Sequence, residues 1–231
     1  MLTNMWQLYK YQSINKCTLS NLAQDKLWAS QASAFNDPFE LRLQKSEIAK
    51  GIDVIRKFNP QLDNLSDSDL IKKATEIFES EIKKFSIVCF TIKPNDILMW
   101  AHYADSYKGF CLGFKEKNDK EVLSDIGIYK VNYQYEYSIK DFTKIWYKDG
   151  LSSIIWTKFK EWEYEEEYRR VLVKENQLTD YPGILNKIIF GLRTSDEDIK
   201  LVQKIVNDKP DIEYCKIVQN DDSYQLQING I

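Results

Sequence analysis

The sequence predicts an α+β fold built on mixed, mainly antiparallel sheet, and three observations predict it. Short β-rich runs are spread along the 231 residues, from QLYKYQ near the start to SYQLQI at the end. Helical periodicity is concentrated in a few stretches, above all between residues 41 and 84. Strands and helices do not alternate in the regular βαβ order of a doubly wound sheet.

The elements follow in chain order. WQLYKY (6–11) reads as a first strand. TLSNLAQD is a short helix, with Thr18 as its expected cap and Leu19, Leu22 and Ala23 on one face. KLWAS gives a second strand and runs into FNDPFE, where Asn36, Asp37 and Pro38 mark a turn. Residues 46–84 are predicted helical. Ser66 and Asp69 resemble a capping box, and Leu70, Ala74, Ile77, Phe78, Ile82 and Phe85 repeat at helical spacing. This charged stretch is expected to be a helical insertion at about 41–84 in a single domain spanning 1–231.

FSIVCFTI is a continuous apolar run of β formers and predicts a buried strand. PNDILMWAHYAD predicts a helix capped by Asn95 or Asp96 and broken by Gly109, with FCLGF as the next strand. GIYKVNYQYEY alternates Ile128, Lys130 and Asn132 with Tyr129, Val131, Tyr133 and Tyr135, the period of one strand. DFTKIWYKDGLSSIIWTKFK is expected to be mostly helical. EEYRRVLVKE and KIIFGL are strands. Thr194 and Glu197 are expected to open a last helix to about Val206, and IEYCKIVQ and SYQLQI to close the chain as an antiparallel pair. This gives about eight strands with four or five helices.

Composition narrows the function. Hydrophobic residues make up 43% of the chain, enough for a core, and the aromatics are rich in Tyr (14) and Trp (6). Rings of this kind pack cores and stack on planar ligands. A net charge of −3 lacks the basic footprint of a nucleic-acid binder. Cys17, Cys89, Cys111 and Cys215 stand singly, without the CxxC pairs of a zinc ribbon or thioredoxin-like site. Cys89 and Cys111 read as small buried hydrophobes, as expected in a reducing cytosol. No apolar run approaches the roughly 18 residues of a membrane span, and the N-terminus carries no signal-peptide core. A cytoplasmic protein without membrane partners is expected. The phosphate-binding GxxxxGK[ST], the dinucleotide fingerprint GxGxxG, HExxH and GxSxG are missing.

Three segments concentrate chemistry. EWEYEEEYRR (161–170) places Glu163, Glu165, Glu166 and Glu167 ahead of Arg169 and Arg170. On a strand Glu165 and Glu167 share a face. Paired carboxylates there can stabilise a cationic sugar or hold ribose hydroxyls. The bland alternative is a charged strand entry, with Arg169 satisfying a glutamate across the sheet. MWAHYADSYKGF (99–110) holds His102, the one histidine in the chain, which reads either as a ligand contact at a cleft or as a packed structural ring. FNDPFE reads either as a turn or as a loop aiming Asp37 and Glu40 into a pocket.

LYKYQSI, TLSNLAQDKLWASQASAFNDPFE, FSIVCFT, LMWAHYADSYKGFCLGF and KFKEWEYEEEYRRVLV, in this order, resemble a bacterial family known as a domain of unknown function. Its blocks are LYKY, FNDPFE, MWxHYA and WxYExEYR. More distantly, the order of elements resembles the ADP-ribosyltransferase fold, notably the DNA-modifying DarT-like toxins. That resemblance implies an NAD-dependent glycosyl transfer enzyme, with NAD as substrate and a macromolecular acceptor, in a toxin or antiphage setting. It implies Glu165 or Glu167 as the catalytic glutamate. It places Tyr9, Lys10, Tyr11, Asp37, His102, Tyr103 and Arg169 around the nucleotide, with tyrosines stacking on nicotinamide and Lys10, Lys108 or Arg169 meeting the pyrophosphate. The family's first-strand histidine or arginine is replaced here by Lys10 or Tyr11, so that end of the site does not transfer. Two alternatives stand beside it. One is a nucleotide-sensing module without catalysis. The other is a metal-dependent nuclease or hydrolase using Asp37, Glu40 and the late glutamates.

Overall fold

A computed structural model describes residues 6–42, 45–58, 60–118, 121–136, 154–173, 177–209 and 211–231. Among these residues it contains twelve strands and six α-helices. They are β1 (Gln7–Gln12), α1 (Lys16–Ala23), β2 (Lys26–Gln31), α2 (Lys45–Lys50), α3 (Ile52–Phe58), α4 (Asp67–Ile82), β3 (Ser86–Thr91), α5 (Ile97–Tyr103), β4 (Phe110–Lys115), β5 (Ile128–Lys130), β6 (Asn132–Gln134), β7 (Thr157–Phe159), β8 (Glu167–Leu172), β9 (Gln177–Asp180), β10 (Ile184–Phe190), α6 (Asp196–Ile205), β11 (Glu213–Gln219) and β12 (Leu226–Gly230). The architecture is the expected α+β with mostly antiparallel pairing. Parallel pairs occur at β10–β11, which α6 connects, and at β6–β7.

The main sheet runs β12-β11-β10-β4-β1-β3-β2-β9, and β8 joins β3 and β5. It is split near its middle. β1 pairs along its full length with β4, but with β3 only through Tyr9 and Thr91. At its other end β3 takes β2 on the same side, through Ser30–Ile87 and Gln31–Ser86. Between these contacts β1 and β2 diverge. The Cys89 carbonyl in the gap accepts a hydrogen bond from Lys10 Nζ at 3.2 Å instead of a strand partner. A side chain thus satisfies a backbone group that the sheet leaves open.

Three apolar clusters hold the frame. Leu8, Phe110, Phe114 and Ile188 pack against Leu22 of α1 and Val202 of α6. Tyr11, Cys111, Ile189 and Ile217 pack against Met99 and Trp100 of α5. Ile48, Ile55, Ala74, Phe78 and Ile82 of α2–α4 pack on Ile87 of β3. The helical stretch therefore has its own interior and covers one face of β3. Two glycines allow close backbone approach where α5 turns into β4. A Cβ at Gly109 would lie 2.0 Å from the Gln12 carbonyl oxygen, and one at Gly191 2.1 Å from that of Tyr107.

Several local expectations are corrected. Asn15 caps α1, with Thr18 at the third helical position of a reciprocal box, because Asn15 Oδ1 accepts from Cys17 N and Thr18 N. Ser195 caps α6, while Thr194 donates its hydroxyl to the buried Gly109 carbonyl at 2.7 Å. The expected single strand at 127–137 divides at Val131 into β5, paired with β8, and β6, paired with β7. Of the helix expected at 141–160, residues 141–153 lie outside the described residues, and 157–159 form β7. Asp96 caps α5 and Ser66 caps α4, as expected.

Candidate functional site

The cleft opened by the divergence of β1 and β2 is a cavity of about 450 Å³. β1 contributes Tyr9, Lys10 and Tyr11, and β3 contributes Cys89 and Thr91. The FNDPFE loop brings Asp37 and Glu40, and α5 brings His102 and Tyr103. The segment from β7 into β8 brings Lys158, Trp162, Glu165 and Glu167. Carboxylates from FNDPFE and from EWEYEEEYRR thus share one space with the histidine of MWAHYADSYKGF.

The geometry of 157–170 explains how. β7 ends in a 3₁₀ turn, Lys160–Glu165, so Glu165 does not continue the strand as alternation predicts. Glu166 is left-handed (φ 41°), and β8 starts at Glu167. This reversal sends Glu166 out to Lys93 at 3.0 Å and brings Glu165 and Glu167 inward to one ammonium group. Thr91 Oγ1 clamps the turn by donating to the Glu165 carbonyl at 2.6 Å. A second run of left-handed residues, Asp105, Ser106 and Tyr107 (φ 46°, 52°, 72°), ends α5 and sets Asp105 on the cavity wall.

Lys158 is the centre of the charge network. Its Nζ donates to Glu165 Oε2 at 2.5 Å and to Glu167 Oε2 at 2.9 Å, and lies 3.6 Å from Glu40 Oε2. Arg169 Nε donates to Glu167 Oε1 at 2.7 Å and Nη2 to Glu167 Oε2 at 3.0 Å. Arg169 Nη2 also donates to Glu40, and Nη1 to the Ile155 carbonyl. Tyr103 donates its hydroxyl to Glu165 Oε1 at 2.6 Å. All three carboxylates are at least nine-tenths buried, and Arg169 is 0% exposed. A charge removed from water this completely persists only when paired.

The electrostatics follow from that burial. Burial pushes the Glu167 carboxyl up against the opposing pull of Lys158. Burial disfavours the Lys158 ammonium too, but the carboxylates of Glu167 and Glu165 outweigh it and hold Lys158 above its ordinary range. Burial pushes the Arg169 guanidinium down to about 9, which still leaves it charged at neutral pH. The Tyr103 hydroxyl is raised by burial and by the Glu165 carboxylate, so it stays a donor. Burial pushes the Tyr9 hydroxyl up to about 12 and lowers the Lys10 ammonium.

Eight of the nine residues expected at the site line the cavity: Glu165, Glu167, Tyr9, Lys10, Tyr11, Asp37, His102 and Tyr103. Arg169 does not. It sits behind the wall, and its donors are spent on Glu167, Glu40 and a carbonyl, which corrects the expectation of a phosphate contact. Lys108 is also off the cavity, so Lys10 is the remaining one of the three cations considered for that role. Tyr11 spends its hydroxyl on the Lys93 carbonyl at 2.7 Å. His102 faces the Trp162 ring, with centroids 6.3 Å apart. The sequence reading missed Lys158. KFK closes a segment read as mostly helical, and the signal that could have flagged Lys158 was its place seven residues ahead of an inward glutamate.

Residues 99–170 match the model of a family described as a protein of unknown function (DUF2971). The matched stretch begins at the MWAHYA block and ends at the arginine pair of EWEYEEEYRR, so it carries two of the four blocks on which the resemblance rests. No curated protein and no solved structure shows significant similarity to the chain.

Proposed function

We propose that this protein is an ADP-ribosyltransferase-like enzyme that cleaves the nicotinamide–ribose bond of NAD⁺ and transfers ADP-ribose to a macromolecular acceptor. One observation carries the reading. A buried glutamate with spare acceptor capacity, Glu165, lies in the same cleft of a split antiparallel sheet as an aromatic lining and Lys10. A carboxylate offers about four lone-pair sites. Glu167 gives three of them to Arg169 and Lys158, whereas Glu165 gives one per oxygen to Tyr103 and Lys158. Glu165 is therefore the glutamate available to a substrate hydroxyl, and Glu167 is its support.

In the reaction the C1′–N bond breaks and its electron pair leaves with neutral nicotinamide. The ribose passes through an oxocarbenium-like state, which the Glu165 carboxylate stabilises while it accepts a hydrogen bond from a ribose hydroxyl. The acceptor nucleophile then bonds to C1′ and gives its proton to Glu165. Lys158 and Tyr103 hold the Glu165 carboxylate in place from either oxygen. A divalent metal is less well served here, since Lys158 and Arg169 already occupy the three glutamates.

The test is nicotinamide release from NAD⁺ by the purified chain, with cell lysate as acceptor. Glu165→Gln is expected to lower it about 10²-fold or more while NAD⁺ still binds. Absence of release by the wild-type chain, despite a large thermal shift on NAD⁺ binding, would move the site to a sensing role. Full activity in Glu165→Gln would remove Glu165 from the chemistry.

A further inference from the structure

The charge of the cavity wall does not match what a neutral or anionic ring would need. Five carboxylates line it, from Asp37, Glu40, Asp105, Glu165 and Glu167, against the ammonium groups of Lys10 and Lys158. Adding Arg169 from behind the wall leaves two negative charges in excess. Protonating Glu167 would still leave one. Both lysines are engaged, Lys158 by glutamates and Lys10 by the Cys89 carbonyl. Asp37 is 9% exposed; its Oδ1 accepts from Phe39 N at 2.8 Å, and its Oδ2 has no hydrogen-bond partner among the described residues. Asp37 lines the cavity with that oxygen uncommitted, so a donor or a positive charge held there can meet it.

The aromatic lining points the same way. Two rings of the wall already hold a cation of the protein. Lys158 Nζ lies 5.2 Å from the Trp162 centroid and Arg169 Cζ lies 5.6 Å from that of Phe35. Trp28 lines the same cavity, is 45% exposed, and makes no ring contact with another described residue. Its face is open for the same kind of contact with a ligand.

We infer that the cavity selects a flat organic cation, a ring such as an N-substituted pyridinium, over the neutral ring of the same shape. The charge would be met by Asp37 with the excess carboxylate field, and the ring by Trp28. The inference deepens the proposed reading and rests on it for the identity of the ring. It predicts that the positive charge on the oxidised nicotinamide is itself a recognition element.

Calorimetric titration of the full chain with 1-methylnicotinamide and with uncharged nicotinamide tests it. The cation is expected to bind about tenfold tighter or more, a difference of about 1.4 kcal/mol. Asp37→Asn should bring that ratio most of the way to one, because asparagine keeps the oxygen that bonds Phe39 N and removes only the charge. Trp28→Ala should weaken the cation and leave the fold's melting temperature unchanged. Equal affinity for both probes, binding of neither, or an unchanged ratio in Asp37→Asn overturns the inference. Charge preference without nicotinamide release from NAD⁺ keeps this inference and loses the proposed reaction. Release without charge preference does the reverse.

Discussion

Replacing Lys158 by Met is the sharpest test of the charge network. Lys158 bonds Glu165 and Glu167 and neighbours Glu40, with its side chain only 5% exposed. Removing it leaves three buried carboxylates facing Arg169 alone. Breaking a buried pair from one side costs about 3–5 kcal/mol. At about 2–4 °C per kcal/mol for a chain of this size, the melting temperature should fall by about 10 °C at pH 8. The loss should depend on pH in one direction. Burial already raises the Glu167 carboxyl above its ordinary 4.5, with Lys158 as the opposing influence. Without Lys158 it rises further. A carboxyl raised in the folded state contributes stability at pH values below its unfolded pKa and loses it as pH climbs through the folded value. The deficit of the variant should therefore be smallest near pH 4.5 and widen towards pH 8. Thermal melts of both proteins across that range measure it, and Lys158→Met with Glu165→Gln should recover part of the loss. A variant within about 2 °C of wild type at pH 8, or a deficit that does not change with pH, would refute the coupling.

Two further perturbations probe the frame. Gly109→Ala would drive a methyl group into the Gln12 carbonyl, where its Cβ would sit at 2.0 Å, and should cost about 3 kcal/mol or more in denaturant unfolding. Asn15→Ala removes the acceptor for Cys17 N and Thr18 N and should cost about 1 kcal/mol. If Thr18→Ser, which keeps a hydroxyl, proves as damaging as Asn15→Ala, the capping assignment is wrong.

Much of the frame was legible because local chemistry decided it. The apolar run SIVCFT became a buried strand, and Asp96 and Ser66 cap helices as their positions dictate. The misplaced caps show where local signals tie. Thr18 and Asn15 bond each other's backbone reciprocally, so either could be read as the cap. Thr194 has the right chemistry for a cap but meets Gly109 in three dimensions instead. The site was legible in its residue types and illegible in its pairing. Glu40 and Arg169 are 129 positions apart, and nothing near either one announces the other. Lys158 acquires its role only because a 3₁₀ turn and one left-handed residue fold Glu165 and Glu167 back onto it. Alternation placed both glutamates on one face of a strand. The structure brings them together by a different backbone path.

The single residue pair joining β1 to β3 has a mechanical consequence. A ladder six residues long, like that between β1 and β4, fixes the angle between neighbouring strands at every rung. One rung fixes it at a single point. The cleft is held there by that rung, by the Lys10–Cys89 hydrogen bond beside it and by the Tyr11 hydroxyl on the Lys93 carbonyl, so side chains rather than a ladder span the break in the sheet.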